Sequence, residues 1–239
     1  MLPAMDVVDL RPDLRMLVGT PGQAYLVRTP RGVVLVDTGA VGNGEAVAAA
    51  LRDWGLDRGA LRLVLITHWH ADHAGSAAEI GRWPSVDVAV HRGDAPVVRG
   101  EQPGRPPIFT PAEEVLHAQV AAGLPDAPPA RVDRDLDDGS VLGGAHVVAT
   151  PGHTDGSAAF WFPDSGVLCT GDTAASHDGA VILGPFNADR ARARESFRRL
   201  GGFDATAVCF GHGPALVGED TRLLREAAAA TTVPDPLGT

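Results

Sequence analysis

The segment "THWHADHAG", residues 67–75, places three histidines and an aspartate within six positions. It follows the apolar run "LRLVLI", which is typical of a strand that is buried on both faces. The side chains of His68, His70, Asp72 and His73 therefore emerge where a buried strand ends. Such side chains are costly to bury without partners. The segment predicts a metal site at this point of the fold.

Three more candidate ligands also follow strand-like runs. His153 comes after "HVVATPG", Asp172 after "GVLCTG" and His212 after "TAVCFG". Together with the first group they supply five histidines and two carboxylates at one rim of a sheet system, enough for a site with two metal ions. Nitrogen and carboxylate donors without cysteine suit zinc, or else iron or manganese.

The order of elements predicts a single domain over residues 1–239. Strand-like runs followed by helical segments occur twice, which favours two sheets packed face to face with helices outside. Residues 94–136 hold one helical segment, "PAEEVLHAQVAAG", in an otherwise irregular stretch, and we interpret them as a lid or binding loop. The tail at 231–239 is expected to be mobile.

The composition narrows the class of partner. The formal net charge is −10 and no basic cluster forms a nucleic-acid footprint, so nucleic acid is not expected as a partner. All 20 basic residues are arginine, which excludes a lysine Schiff base. The chain shows neither a signal peptide nor an apolar run of membrane-spanning length, so we expect a cytoplasmic protein that does not enter a membrane. Oligomeric state cannot be predicted from this pattern.

The motifs "HWHADH", "PGHTDGS", "TGD" and "FGHG", in this order, resemble those of the metallo-β-lactamase superfamily of metallohydrolases. "VDTG" at 36–39 resembles that family's early strand motif, and the resemblance extends over roughly residues 15–230. It implies an α/β fold of the αββα sandwich type, with the metal ions in a cleft where the edges of the two sheets meet.

The resemblance also implies a role for each ligand. Asp172 would bridge two metal ions, and Asp37 would accept a hydrogen bond from a ligand histidine and fix its tautomer. The first metal ion would be held by His68, His70 and His153, and the second by Asp72, His73 and His212.

Two such metal ions can share a hydroxide because each lowers the pKa of bound water. The resulting expectation is a zinc-dependent hydrolase that cleaves an acyl bond of a small molecule, with an ester, thioester, lactone or amide as candidates. Asp72 could orient the nucleophile or shuttle its proton, and His177 could donate a proton to the leaving group. His177, like His91, His117 and His146, also fits a purely structural role.

Apolar side chains near the predicted ligands could form a wall over the metal ions, although ordinary core packing explains each of them equally well. These candidates for a substrate pocket are Trp69, Ile108, Phe109, Leu183 and Phe186.

Two alternative activities use the same framework. One is a sulfur dioxygenase with a single iron that acts on persulfides, but this chain retains every residue of a second metal site. The other is β-lactam hydrolysis, which is less expected because true metallo-β-lactamases generally lack the bridging aspartate present here as Asp172. Lactonases of the family carry a tyrosine where this chain has Ala175, so a lactonase would need another group to steady the leaving oxygen.

Overall fold

A seven-stranded sheet forms one half of the computed structural model, which describes residues 5–230 and 232–238. Its strands are arranged in the order of the sequence. Neighbouring strands from the first to the fourth are antiparallel, and neighbouring strands from the fourth to the seventh are parallel. They are β1 (Asp6–Arg11), β2 (Leu14–Val18), β3 (Gln23–Thr29), β4 (Gly32–Val36), β5 (Leu61–Ile66), β6 (Asp87–His91) and β7 (Arg134–Leu136).

The second half contains a six-stranded sheet and a separate hairpin. The sheet order is β15-β14-β11-β10-β9-β8, with β11 and β14 parallel and the other pairs antiparallel. The strands are β8 (Val141–Leu142), β9 (Ala145–Ala149), β10 (Ala158–Phe162), β11 (Val167–Gly171), β12 (Ala174–His177), β13 (Ala180–Leu183), β14 (Ala207–Phe210) and β15 (Leu216–Val217), of which β12 and β13 form the hairpin.

Seven α-helices accompany the sheets in the described part of the chain. They are α1 (Gly44–Asp53), α2 (Ala71–Ala74), α3 (Ala77–Ile80), α4 (Ala95–Val98), α5 (Pro111–Val120), α6 (Arg190–Leu200) and α7 (Arg222–Ala229), with short 3₁₀ turns at Arg58–Ala60 and Gly218–Thr221. Among the residues described, no helix is both long and apolar enough to cross a membrane.

Three apolar layers result from strands that are buried on both faces. In β3, Tyr25 and Val27 point between the two sheets, where they pack with Phe160 and Phe162 of β10. The alternate residues, such as Leu26, pack under α1 and α3. The outer face of the second sheet is covered by α6 and α7. The observed arrangement is helix, sheet, sheet, helix, which confirms the predicted αββα fold.

Two segments singled out in the sequence, residues 94–136 and the C-terminal tail, can be located in the structure. Residues 94–136 contain α4 and α5 joined by irregular chain, and α5 begins at a capping box formed by Thr110 and Glu113. In the tail, Val233 is buried and Asp235 forms ion pairs with Arg190 and Arg194. The mobility expected of residues 231–239 stays a prediction. Thr231 and Thr239 lie outside the described residues.

Candidate metal centre

The "THWHADHAG" segment forms the turn between β5 and α2. The strand ends at Ile66, and α2 begins at Ala71, with the backbone N–H of His73 donating to the carbonyl of His70. His68 and His73 are buried, whereas His70 and Asp72 are partly exposed. One turn therefore places two candidate ligands in the interior and two at partly exposed positions.

The other three candidates approach from the second sheet. Asp172 follows β11 and His212 lies two residues beyond β14. Because these strands are parallel, their carboxyl ends lie at the same edge of the sheet. His153 lies in the loop between β9 and β10 and reaches the same edge.

His68, His70 and His153 form one group of candidate ligands, here called the first set. The Nε2 atom of His153 lies 2.9 Å from the Nδ1 atom of His70. The ring of His68 stands edge-on to both, with centroids 4.7 Å away. These three residues point one nitrogen each toward a common centre.

Asp72, His73 and His212 form the second set. The Oδ2 atom of Asp72 lies 3.3 Å from Nε2 of His212 and 3.6 Å from Nε2 of His73. The two imidazole rings are 5.5 Å apart between centroids.

Asp172 lies between the two sets. Its Oδ2 atom is 3.9 Å from Nε2 of His68, 3.7 Å from Nε2 of His153 and 3.2 Å from Nε2 of His212. Its Oδ1 atom is 3.2 Å from Nε2 of His73. One carboxylate thus faces ligand atoms of both sets, the position that a bridging ligand requires.

The atoms that face this centre fit divalent cations. Metal–nitrogen bonds near 2.1 Å in a tetrahedral site separate neighbouring donors by roughly 3.4 Å, within the range observed here. Nε2 of His68, Nε2 of His73 and Oδ1 of Asp172 are buried without a hydrogen-bond partner in the described structure, which is unfavourable unless a cation satisfies them. A Cβ atom at Gly211 would lie 1.9 Å from Oδ1 of Asp172, so only glycine leaves the carboxylate its place. The residues present suit a site for divalent metal ions.

Asp37 orients ligands of both sets through one buried carboxylate. Its Oδ2 atom lies 2.8 Å from Nδ1 of His73 and accepts a hydrogen bond from the Thr67 hydroxyl, also at 2.8 Å. That hydroxyl lies 3.0 Å from Nδ1 of His68. Asp37 itself has a φ of 58°, a strained conformation for a residue with a side chain. The role predicted for Asp37 therefore matches its contacts with His73.

Backbone carbonyls hold the outer ring nitrogens of His153 and His212. Nδ1 of His153 lies 3.0 Å from the carbonyl oxygen of Pro185, and Nδ1 of His212 lies 3.1 Å from that of Pro21. A proton on each Nδ1 leaves the Nε2 lone pair free for a cation.

The two sets differ in protonation when no cation is bound. Burial lowers the pKa of His68 and His153, and it lowers the pKa of His70 to about 3. Burial also acts on His73 and His212, but there the carboxylates, Asp172 foremost, outweigh it. They raise the pKa of His73 well above its usual value and that of His212 to about 10.

The carboxylates of the second set stay ionised despite burial. Burial alone would raise the pKa of Asp72 and of Asp172. The charges of His73 and His212 outweigh this and hold both pKa values below the usual range. Without a cation, the second set is therefore a network of carboxylates and imidazolium ions.

The structure distributes the predicted pocket residues over different surroundings. Trp69 packs against the ring of His70, with centroids 4.4 Å apart, and borders a cavity of about 450 Å³. Phe109 and Phe186 pack edge to face at 5.8 Å, while Ile108 beside them is exposed. Leu183 is 2 % exposed within the apolar layer under α6 and α7, so its assignment to a pocket wall is corrected to core packing.

His177 lies at the end of β12, where its side chain is 67 % exposed and its Nε2 atom is 3.5 Å from Oδ2 of Asp178. Within residues 5–230 and 232–238 it forms no hydrogen bond or ion pair with any of the seven candidate ligands. Its surroundings supply no contact for the predicted role as a proton donor, and we assign it none.

Sequence reasoning missed Asp94. Its buried carboxylate accepts hydrogen bonds from the backbone N–H groups of Trp69 and Gly156 and from the hydroxyl of Thr154. It therefore ties the loop of His68 and His70 to the loop of His153. Burial raises the pKa of Asp94 to about 6. A lone aspartate after a strand gave no signal of this role.

Comparisons with known proteins agree with this geometry. The family model described as the metallo-beta-lactamase superfamily matches residues 17–212. A protein of Bacillus subtilis strain 168, named "Probable metallo-hydrolase YflN", is 29% identical over 211 residues, which are 81% of this chain and 80% of the relative.

Two further proteins show the range of the similarity. An atrochrysone carboxyl ACP thioesterase of Passalora fulva is 28% identical over 191 residues, 74% of this chain but 47% of that longer protein. The crystal structure of TTHA1623 in a di-iron-bound form superposes with a TM-score of 0.65 at 29% identity, covering 84% of this chain and 92% of that one.

Proposed function

The chain belongs to the metallo-beta-lactamase superfamily, and from this premise we propose that it is a dinuclear metal-dependent hydrolase that cleaves an ester, thioester or lactone bond of a small molecule. The observation that carries the proposal is the position of Asp172, whose two oxygens face the ligand atoms of both sets. A site for one metal ion would not require the second set, in which Asp72 and His212 lie 3.3 Å apart.

Two divalent cations bound there would lower the pKa of a water molecule toward neutrality and polarise a carbonyl oxygen. The nitrogen and carboxylate donors suit zinc, and they also suit iron or manganese. The similarity to a protein crystallised with two iron ions supports iron as the first alternative to zinc.

Asp72 is the residue that we propose to handle the proton of the attacking water. Its side chain is 14 % exposed at the cleft, while that of Asp172 is more deeply buried. The neighbouring imidazoles hold the pKa of Asp72 low, so its carboxylate is ionised at neutral pH and can accept a hydrogen bond from water. A carboxylate in this position orients the water and receives its proton.

The cavity beside Trp69 is the proposed entry for the substrate. Its volume of about 450 Å³ suits a small molecule. Trp69 lines this cavity and also contacts the ring of His70, so it is the residue that connects the cavity with the first set. Arg105 and Asp155 flank the cavity and form an ion pair at 3.4 Å.

Thioesters are the first substrate class to test. The similarity to an acyl carrier protein thioesterase supports them, although this chain spans about half of that protein. Thioesters, esters and lactones place the same kind of carbonyl carbon before the nucleophile, so one panel can rank all three.

The test is hydrolysis by protein that has been stripped with a chelator and reloaded with zinc, iron or manganese. We expect at least one thioester, ester or lactone to be cleaved by reloaded protein and not by stripped protein. Loss of all hydrolysis in every reloaded sample, together with oxygen uptake on a persulfide, would replace this proposal with the dioxygenase alternative.

A further inference from the structure

One peptide group joins the metal ligand His153 to a carboxylate on α5. The carbonyl oxygen of Pro185 lies 3.0 Å from Nδ1 of His153. The N–H of Phe186, in the same peptide group, donates to Oε1 of Glu113 at 2.8 Å. Because a peptide group is planar and conjugated, an acceptor at its N–H polarises its carbonyl.

Glu113 is the one buried residue of α5, although it carries a carboxylate. It is 0 % exposed, although it lies on a helix in the region predicted from sequence as a lid. Three donors satisfy its carboxylate, namely the N–H of Thr110 at 2.9 Å, the N–H of Phe186 and the guanidinium of Arg190. Burial alone would raise the pKa of Glu113, but these donors outweigh it and hold the pKa below its usual value.

The peptide between these two residues is held in a strained conformation. Phe186 has a φ of 64°, in the left-handed region that non-glycine residues rarely adopt. On the following residues, the carbonyl of Asn187 accepts from the N–H of Ile108 at 3.0 Å, and the N–H of Ala188 donates to the carbonyl of His153 at 3.2 Å. Contacts to the helix region on one side and to His153 on the other therefore hold this segment in place.

We propose that Glu113 is a positioning residue for His153, acting through the Pro185–Phe186 peptide. The inference rests on the metal site of the proposed function. Glu113 accepts from the peptide N–H, and the peptide carbonyl accepts from Nδ1 of His153, so the proton stays on Nδ1 and the Nε2 lone pair is left free for a cation. The arrangement is a carboxylate–histidine pair with a peptide group inserted between its members.

Glu113→Gln tests this assignment because it keeps the length of the side chain but leaves one oxygen for three donors. The matched control is Asp235→Asn, which disturbs the same ion-pair network through Arg190 but removes no hydrogen bond to the Phe186 peptide among the described residues. Both variants are made with and without His212→Ala, which disables the second set so that zinc binding reports the first set.

We expect zinc affinity in the His212→Ala background, measured by competition with a chelator, to fall about tenfold in Glu113→Gln and less than twofold in Asp235→Asn. Long-range ¹H–¹⁵N NMR of cation-free protein with an intact second set is expected to show His153 protonated on Nδ1, and a mixture of tautomers in Glu113→Gln. A purely structural role would lower the unfolding temperature without changing the tautomer.

Equal affinity losses in the two variants, or an unchanged tautomer with unchanged affinity in Glu113→Gln, would overturn the inference and leave the proposed function intact. A wild-type protein that binds no divalent cation would overturn both together.

Discussion

The two ligand sets contain similar residues, but their histidines differ in protonation when no cation is bound. In the first set, burial keeps the pKa of His70 at about 3, so the imidazoles are neutral near pH 7. In the second set, Asp172 and Asp72 raise the pKa of His212 to about 10, so its imidazole is protonated near pH 7 when no cation is bound. The comparison shows that carboxylate placement, more than ligand type, decides which set must release protons when it binds metal.

Removal of Asp172 gives the largest expected effect, because both sets lose the carboxylate that they share. We expect Asp172→Ala to lower hydrolysis about a thousandfold or more and to release at least one cation per chain. Circular dichroism is expected to show a folded protein. Asp178→Asn, at an exposed carboxylate in the hairpin, is the control and keeps full activity. An active and fully loaded Asp172→Ala protein would contradict the bridging role.

Asp37→Asn is expected to weaken both sets unequally. Asp37 contacts His73 of the second set directly, but it reaches His68 of the first set only through the hydroxyl of Thr67. Chelator competition should show a loss of about 10- to 100-fold for the second cation and a smaller loss for the first.

Thr67→Val is the matched control for Asp37→Asn. It removes the hydroxyl path to His68 while the backbone N–H of Thr67 still donates to Asp37. The order of the two losses should therefore be reversed. Equal losses for both cations in both variants would show that Asp37 does not distinguish the sets.

The smallest expected effect is a difference between the two sets in how their affinity for a cation depends on pH. His212 has a pKa raised to about 10, so it is protonated at neutral pH and must lose its proton to bind metal. The affinity for the second cation should rise about tenfold per pH unit for each proton displaced, and the first cation should show a flatter dependence because His70 is already neutral. Calorimetry in buffers of different ionisation enthalpy counts the protons released. Equal proton release for both cations would contradict the comparison.

The seven candidate ligands could be singled out in the sequence because each follows an apolar strand, and a strand end is visible in the sequence. The partners of their outer nitrogens could not be predicted in the same way. Pro21 and Pro185 act through carbonyl oxygens, which every residue possesses. Only the side-chain partner Asp37, within "VDTG", carried a signal that the family resemblance identified.

Glu113 shows where local sequence information ends. The spacing of Thr110 and Glu113 is that of a capping box, and the structure contains one. The same carboxylate also binds the N–H of Phe186, 73 residues further along the chain. A local motif specifies the helix start, but only tertiary packing brings the second oxygen to that peptide.

The contacts of the C-terminal segment could not be predicted from its own residues. Asp235 pairs with Arg190 and Arg194, which α6 places beside it. These partners lie 45 and 41 residues earlier in the chain, so the pairing depends on neighbours distant in sequence.

The most direct test of the account is the number of metal ions per chain, measured by elemental analysis of untagged protein purified without chelator. Two divalent cations per wild-type chain are predicted, because Asp172 joins two complete sets. A single ion that stays at one per chain after incubation with excess zinc, iron or manganese would contradict the dinuclear site.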